Sequence, residues 1–113
     1  MRPESRKYLW DAREAAQRLQ TFTAGQSLDD YLRSALLRSA VERQYEIIGE
    51  ALRQLGRADP ETAAMVPELS RIVAFRNILI HGYATVDDRL VWGLLESKLP
   101  TLATALDLLL AGP

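Results

Sequence analysis

The single histidine of this chain, His81, stands five residues after Arg76 in the segment Arg76-Asn-Ile-Leu-Ile-His81-Gly-Tyr83. Imidazole and guanidinium together suit phosphodiester cleavage by proton transfer. That chemistry needs a base for the attacking hydroxyl, an acid for the leaving oxygen and a cation for the charge that builds on phosphorus. On a regular helix Asn77 and His81 are i and i+4, so the amide can hold one ring nitrogen and leave the other free. Arg76 lies about 140° from His81 around such a helix and reaches the same phosphate only through its long side chain or a loosened last turn. Tyr83 falls just past the helix, its hydroxyl near the mouth of the same site, and the negative end of the helix dipole favours a protonated imidazole. One chain supplies one imidazole, so acid and base together require two chains. A symmetric dimer about the third and fourth helices brings two His81 and two Arg76 to one cleft. The same residues also read as a surface ion pair, a helix cap and a packed ring, and spacing alone does not separate the two readings.

Glu42, Glu46 and Glu50 recur at i+4 on the preceding long helix. They form either a solvated acidic face or a support in which Glu46 or Glu50 pairs with Arg43 or Arg76 and positions the guanidinium. Trp10 and Trp92 read as core or dimer-interface residues.

The elements that must position these groups are helical throughout. Leu9, Ala12, Ala16, Leu19 and Phe22 recur at three and four, which predicts an amphipathic helix over 4–23. Ser27, followed by Asp30, reads as the capped start of a long helix from about Leu28 to Leu55, ended by Gly56. Gly49 in its middle marks a place where a neighbouring helix comes close. A helical turn reaches about Val66, Pro67 opens the helix that carries the Arg76 to His81 segment, and Gly82 closes it. Asp87 or Asp88 starts a final helix, with Pro100 predicting a kink or brief interruption. Leucine and valine on more than one face of that helix leave apolar surface for a partner subunit. Strand-like alternation is missing, so the expectation is an all-α, up-down bundle of four to five helices.

With 113 residues the chain is read as one domain, residues 1–113, with one site. Hydrophobic residues at 48% and charged residues at 26% are globular proportions. A net charge of −1 removes any global positive field, and no basic recognition helix points to DNA. With no cysteine there is no disulfide, thiol nucleophile or thiolate metal site. Charges interrupt the N-terminus where a signal peptide would be apolar, and no apolar run approaches the roughly 20 residues of a membrane span. A cytoplasmic location, no metal and no cofactor are the expectations.

Four blocks in order resemble the HepT-like family of the HEPN ribonuclease toxins. They are Tyr8-Leu-Trp-Asp11, Ala40-Val-Glu-Arg43 running into Glu46-Ile-Ile-Gly-Glu-Ala51, the Arg76 to Tyr83 segment, and Val86-Asp87 with Val91-Trp92. The chain departs from the family's commonest pattern at Gln44-Tyr45 and at Leu69-Ser70. The resemblance implies a homodimeric helical bundle acting as a metal-independent endoribonuclease, the toxin of a prokaryotic toxin–antitoxin pair. It puts the family's motif on Arg76, His81 and Tyr83, with Asn77 as polar companion. It further implies a minimal nucleotidyltransferase antitoxin that transfers AMP to Tyr83, blocking RNA and adding negative charge. The alternative is a non-catalytic HEPN module that docks a nucleotidyltransferase and presents Tyr83 or a nucleotide to it.

Overall fold

In α1 (Pro3–Thr23) the small and large apolar residues Leu9, Ala12, Ala15, Ala16 and Leu19 are all fully buried. Alanines on that stripe let a neighbouring backbone come close, and the most extensive packing in the molecule is α1 against α3 (Ala35–Ala58). α7 (Leu99–Ala111) also packs on α1. The computed structural model describes residues 1–112, with Tyr83 described through its backbone alone.

The expected helix from Leu28 to Leu55 is two helices, α2 (Leu28–Arg33) and α3, broken at Ser34. The Ser34 hydroxyl accepts a hydrogen bond from the Leu37 amide at 3.0 Å while its own backbone is extended. A serine offers the backbone this local partner in place of the helical one. The break sets which residues face inward: Leu36 at the start of α3 is 83% exposed, while Tyr31 of α2 is fully buried. The Tyr31 ring lies against Trp92, with centroids 5.3 Å apart. The capping box at Ser27 forms as expected, with Ser27 and Asp30 exchanging hydrogen bonds of 3.1 and 2.8 Å.

Gly56 does not end α3, which runs on to Ala58. The stop is Asp59, whose own conformation is pushed out of the helical region by Pro60. Asp59 then caps α4 (Pro60–Ala63) by accepting from the Thr62 amide and hydroxyl, and it also accepts from Ser5 of α1 at 2.8 Å. These three donors hold its carboxyl below the usual range, at about 2.

α5 (Leu69–His81) begins two residues after the expected Pro67. Pro67 sits in a turn, and Glu68 takes a left-handed conformation with φ 56°, which no continuous helix passes through. Gly82 closes α5 as expected, its amide bonded to the Ile78 carbonyl at 2.8 Å. A 3₁₀ turn (Tyr83–Thr85) leads to α6 (Asp88–Ser97), capped by Asp87, and Pro100 coincides with the break between α6 and α7. The fold is thus the expected all-α bundle. The seven α-helices among the described residues exceed the expected four to five because both long helices are broken and α4 stands alone. Among the described residues no helix is long and apolar enough to cross a membrane.

α5 is the least buried of the longer helices. It packs mainly on α3 and fully buries Leu79 alone, leaving Ile78 53% exposed.

Candidate active-site cleft around Arg76

The crossing of α3 and α5 is set by Gly49. A Cβ built there would overlap the Arg76 Cβ and come within 2.7 Å of its Cγ, so α5 lies as close as it does only because position 49 has no side chain. The helix interior accepts the propensity penalty of glycine, about 1 kcal/mol, in return for that approach.

Glycine at 49 also puts the next residue, Glu50, beside the arginine. The Arg76 guanidinium stands 2.9 Å from a Glu50 carboxylate oxygen, and a second guanidinium nitrogen donates to the Asn77 side-chain oxygen at 2.8 Å. Among the described residues the Glu50 oxygen facing Arg76 makes no well-aligned hydrogen bond, nor does the Arg76 Nε, so attraction between charges holds that pair. The other Glu50 oxygen accepts from Gln54 at 2.9 Å and from Arg53 at 3.3 Å. Arg76 is thereby fixed at the wall of a cleft between α1, α3 and α5 with its guanidinium partly open to solvent.

Glu46 reaches Arg43 at 3.6 Å, and both line the same cleft. The acidic stripe is therefore not a solvated face: Glu42, Glu46 and Glu50 are each half-buried, and two of them hold arginines. Glu42 points toward α6, where burial and then the neighbouring Asp88 and Glu46 raise its carboxyl above the usual range.

His81 is exposed at the C-terminal end of α5 and does not line the Arg76 cleft. The expected hold of Asn77 on the imidazole is absent: among the described residues Asn77 bonds to Arg76 and makes no hydrogen bond to His81. The guanidinium is a charged donor, and a charge-assisted bond to the Asn77 oxygen is stronger than a neutral one. Within one chain, then, Arg76, Asn77, Glu50, Arg43 and Glu46 are gathered, and His81 stands apart. The side chain of Tyr83 lies outside the described residues; its backbone opens the 3₁₀ turn directly after Gly82.

Three residues of α1, Trp10, Glu14 and Arg18, were not read from the pattern as part of the site. Trp10, expected in the core or at an interface, is 50% exposed and lines the cleft beside Arg76. Glu14 and Arg18 line it too. The 10, 14, 18 spacing on α1 was the available signal, overshadowed by the apolar stripe beside it. Trp92 is buried, as expected of a core residue.

Residues 12–109 match the family model described as "Ribonuclease HepT-like". Similar proteins include "Putative RNase MJ1380" of Methanocaldococcus jannaschii, 34% identical over 84% of this chain and 86% of that one. "Probable ribonuclease HepT" of Thermococcus cleftensis is 32% identical over 90% of this chain and 92% of its own length. No solved structure matches. The match over nearly the whole helical bundle, Arg76 and His81 included, shows that the chain belongs to the HepT-like ribonuclease family.

Proposed function

We infer that this chain is the toxin of a toxin–antitoxin pair: a metal-independent endoribonuclease, acting on tRNA or mRNA in the cytoplasm, whose working site is shared by two copies. The observation that carries the reading is the pinned Arg76 on a helix that ends in an exposed His81. A guanidinium held by Glu50 and Asn77 is already aimed before RNA arrives, and an exposed imidazole is open to a second chain. Ile78 and Leu90, each 53% exposed, supply apolar surface for that second copy.

In the dimer one His81 takes the proton from the ribose 2′-hydroxyl as O2′ attacks phosphorus. The other His81 delivers a proton to the departing 5′-oxygen, leaving a 2′,3′-cyclic phosphate and a free 5′-hydroxyl. The two Arg76 side chains bear the negative charge on the phosphorane. Adenylylation of Tyr83 by a cognate minimal nucleotidyltransferase adds phosphate charge two residues from His81 and so closes the site to RNA.

The test is cleavage of a tRNA pool in excess EDTA by chain purified without antitoxin, with His81→Ala alongside. Discrete fragments from the wild type alone are the expected result. Fragments from both, or from neither with a folded, unmodified dimer, overturn it. The second reading, a non-catalytic module that presents Tyr83 to a nucleotidyltransferase, is favoured by one observation: within a single chain Arg76 is engaged by Glu50 and Asn77 and does not meet His81. On that reading Tyr83→Phe abolishes labelling by the nucleotidyltransferase, and no RNA is cut.

A further inference from the structure

The cleft that holds Arg76 has a wall the phosphate chemistry does not use. Trp10, Glu14 and Arg18 follow one another at i, i+4 and i+8 along α1, so they form one stripe, and all three line the cleft opposite the Arg76 side. Trp10 is half exposed although α1 buries five other apolar residues completely. A tryptophan left open beside a guanidinium is an available flat apolar face in an otherwise polar cleft. Glu14 is half-buried and in no ion pair among the described residues, whereas Asp11, Glu46 and Glu50 are each taken by a cation. Its carboxylate has one neighbour within hydrogen-bond reach, the Gln17 amide at 3.0 Å in one orientation of that amide.

The charge balance says what this wall can recognise. Among the lining residues three arginines face four carboxylates. Such a cleft does not track a run of phosphates, which demands excess positive charge. It accommodates one phosphate on Arg76 and a neutral, flat, hydrogen-bonding group beside it. A nucleobase has that chemistry, and only an unpaired one exposes both a face for stacking and its Watson–Crick edge. A carboxylate accepts hydrogen bonds and gives none, so it favours bases with an exocyclic amino group (adenine, cytosine, guanine) over uracil, which has none.

We propose that Trp10 and Glu14 form a base subsite for single-stranded RNA, in which Trp10 stacks an unpaired base next to the phosphate held by Arg76 and Glu14 accepts from its amino group. The proposal rests on the ribonuclease reading above and adds to it the substrate class, an unpaired, amino-bearing nucleotide, and the residues that select it.

Two measurements separate the proposals. The first is binding of non-cleavable 2′-O-methyl tetranucleotides of A, C and U, followed by quenching of tryptophan emission. Trp92 is buried, so the solvent-exposed, red-shifted component reports Trp10, and Trp10→Ala removes it. A and C oligomers should quench that component at concentrations about tenfold lower than U, a ratio that Glu14→Gln brings toward one. The second is cleavage of an unstructured RNA. Trp10→Ala should raise KM about tenfold, within the range that one base–aromatic stack contributes, and Trp10→Phe should recover most of it. A wild type that cuts RNA while its Trp10 emission ignores all three oligomers, or U binding as tightly as A, overturns the subsite and leaves the ribonuclease standing. Base-selective quenching in a chain that cuts nothing upholds the subsite and removes the ribonuclease. An unchanged KM in Trp10→Ala also overturns the subsite.

Discussion

Gly49→Ala sets two effects of known sign against each other. Alanine in the middle of a helix is favoured over glycine by about 1 kcal/mol, and on propensity alone the substitution would stabilise α3. The new methyl, however, overlaps the Arg76 Cβ and comes within 2.7 Å of Cγ. These atoms are fixed to the α5 backbone and cannot swing aside as a side-chain tip can, so α5 itself must move. Forcing a methyl into a packed contact costs about 1–3 kcal/mol. The overlap therefore wins or breaks even, and the net loss is about 0–2 kcal/mol. At roughly 4 °C per kcal/mol for a domain of this size, the melting temperature falls by no more than about 8 °C. Function suffers more. A displacement of about 1 Å takes the guanidinium off Glu50 and off the proposed phosphate position, and an error of that size costs on the order of a hundredfold in rate. The internal control is Gly93→Ala, because a Cβ at that exposed position in α6 meets nothing within 4 Å. The same substitution there should raise the melting temperature by about 4 °C and leave cleavage alone. Thermal unfolding and RNA cleavage of both variants decide the matter. Equal stabilisation by both, with full cleavage in Gly49→Ala, would refute the account of how α5 is placed.

Two further outcomes follow from other parts of the molecule. The Asp59 carboxyl, held down to about 2 by Thr62 and Ser5, is charged in the folded chain where an unfolded carboxylate begins to protonate. It thus contributes stability that is complete above pH about 4 and lost as the pH falls toward 2. Asp59→Asn should flatten that acid limb, measured by denaturant unfolding at pH 2 to 6; an unchanged limb removes Asp59 as its cause. Ile78→Asp on the exposed face of α5 should leave the helical signal intact while sedimentation shows monomer and cleavage is lost. A dimeric, active Ile78→Asp chain would place the proposed interface elsewhere.

Helical content and element order were legible because long apolar repeats at three and four leave little else to form. Boundaries failed where a local hydrogen bond or a proline competed with the pattern. Ser34 could cap a new helix without disturbing the apolar period enough to be noticed. Asp59 before Pro60, not Gly56, was the true stop, because a proline constrains its predecessor whereas a glycine only weakens a helix. In the site, Gly49 was read correctly as a close approach, but what approached it, the Arg76 side chain, depends on the crossing of two helices 27 residues apart and is invisible to periodicity. The same crossing brought Glu50 to Arg76. Asn77 was assigned to His81 from ideal helix spacing, which ignores that the adjacent guanidinium is a stronger claimant for its oxygen. Trp10 was read as a core or dimer-interface residue by its type, and only the packed bundle shows that its position on α1 faces the cleft.

The placement of Arg76 and His81 on the least buried long helix has its own logic. A helix whose residues were spent on the core of one chain would have few left to present to a second one. α5 commits Leu79 fully to the core and relies on Gly49 for its closest contact, which leaves Ile78, Ile80 and His81 facing outward. Leu69, Ile72, Val73 and Phe75 pack half-buried against the core and anchor the inner face of the helix. In the proposed dimer the second copy would bury that outward surface at the moment it brings a second imidazole. Assembly and activation would then be one event, with the arginine already aimed by Glu50 and only the histidines awaiting the partner. An antitoxin acting on Tyr83, just past the end of this helix, would meet the chain at the place where the proposed chemistry is incomplete without that partner.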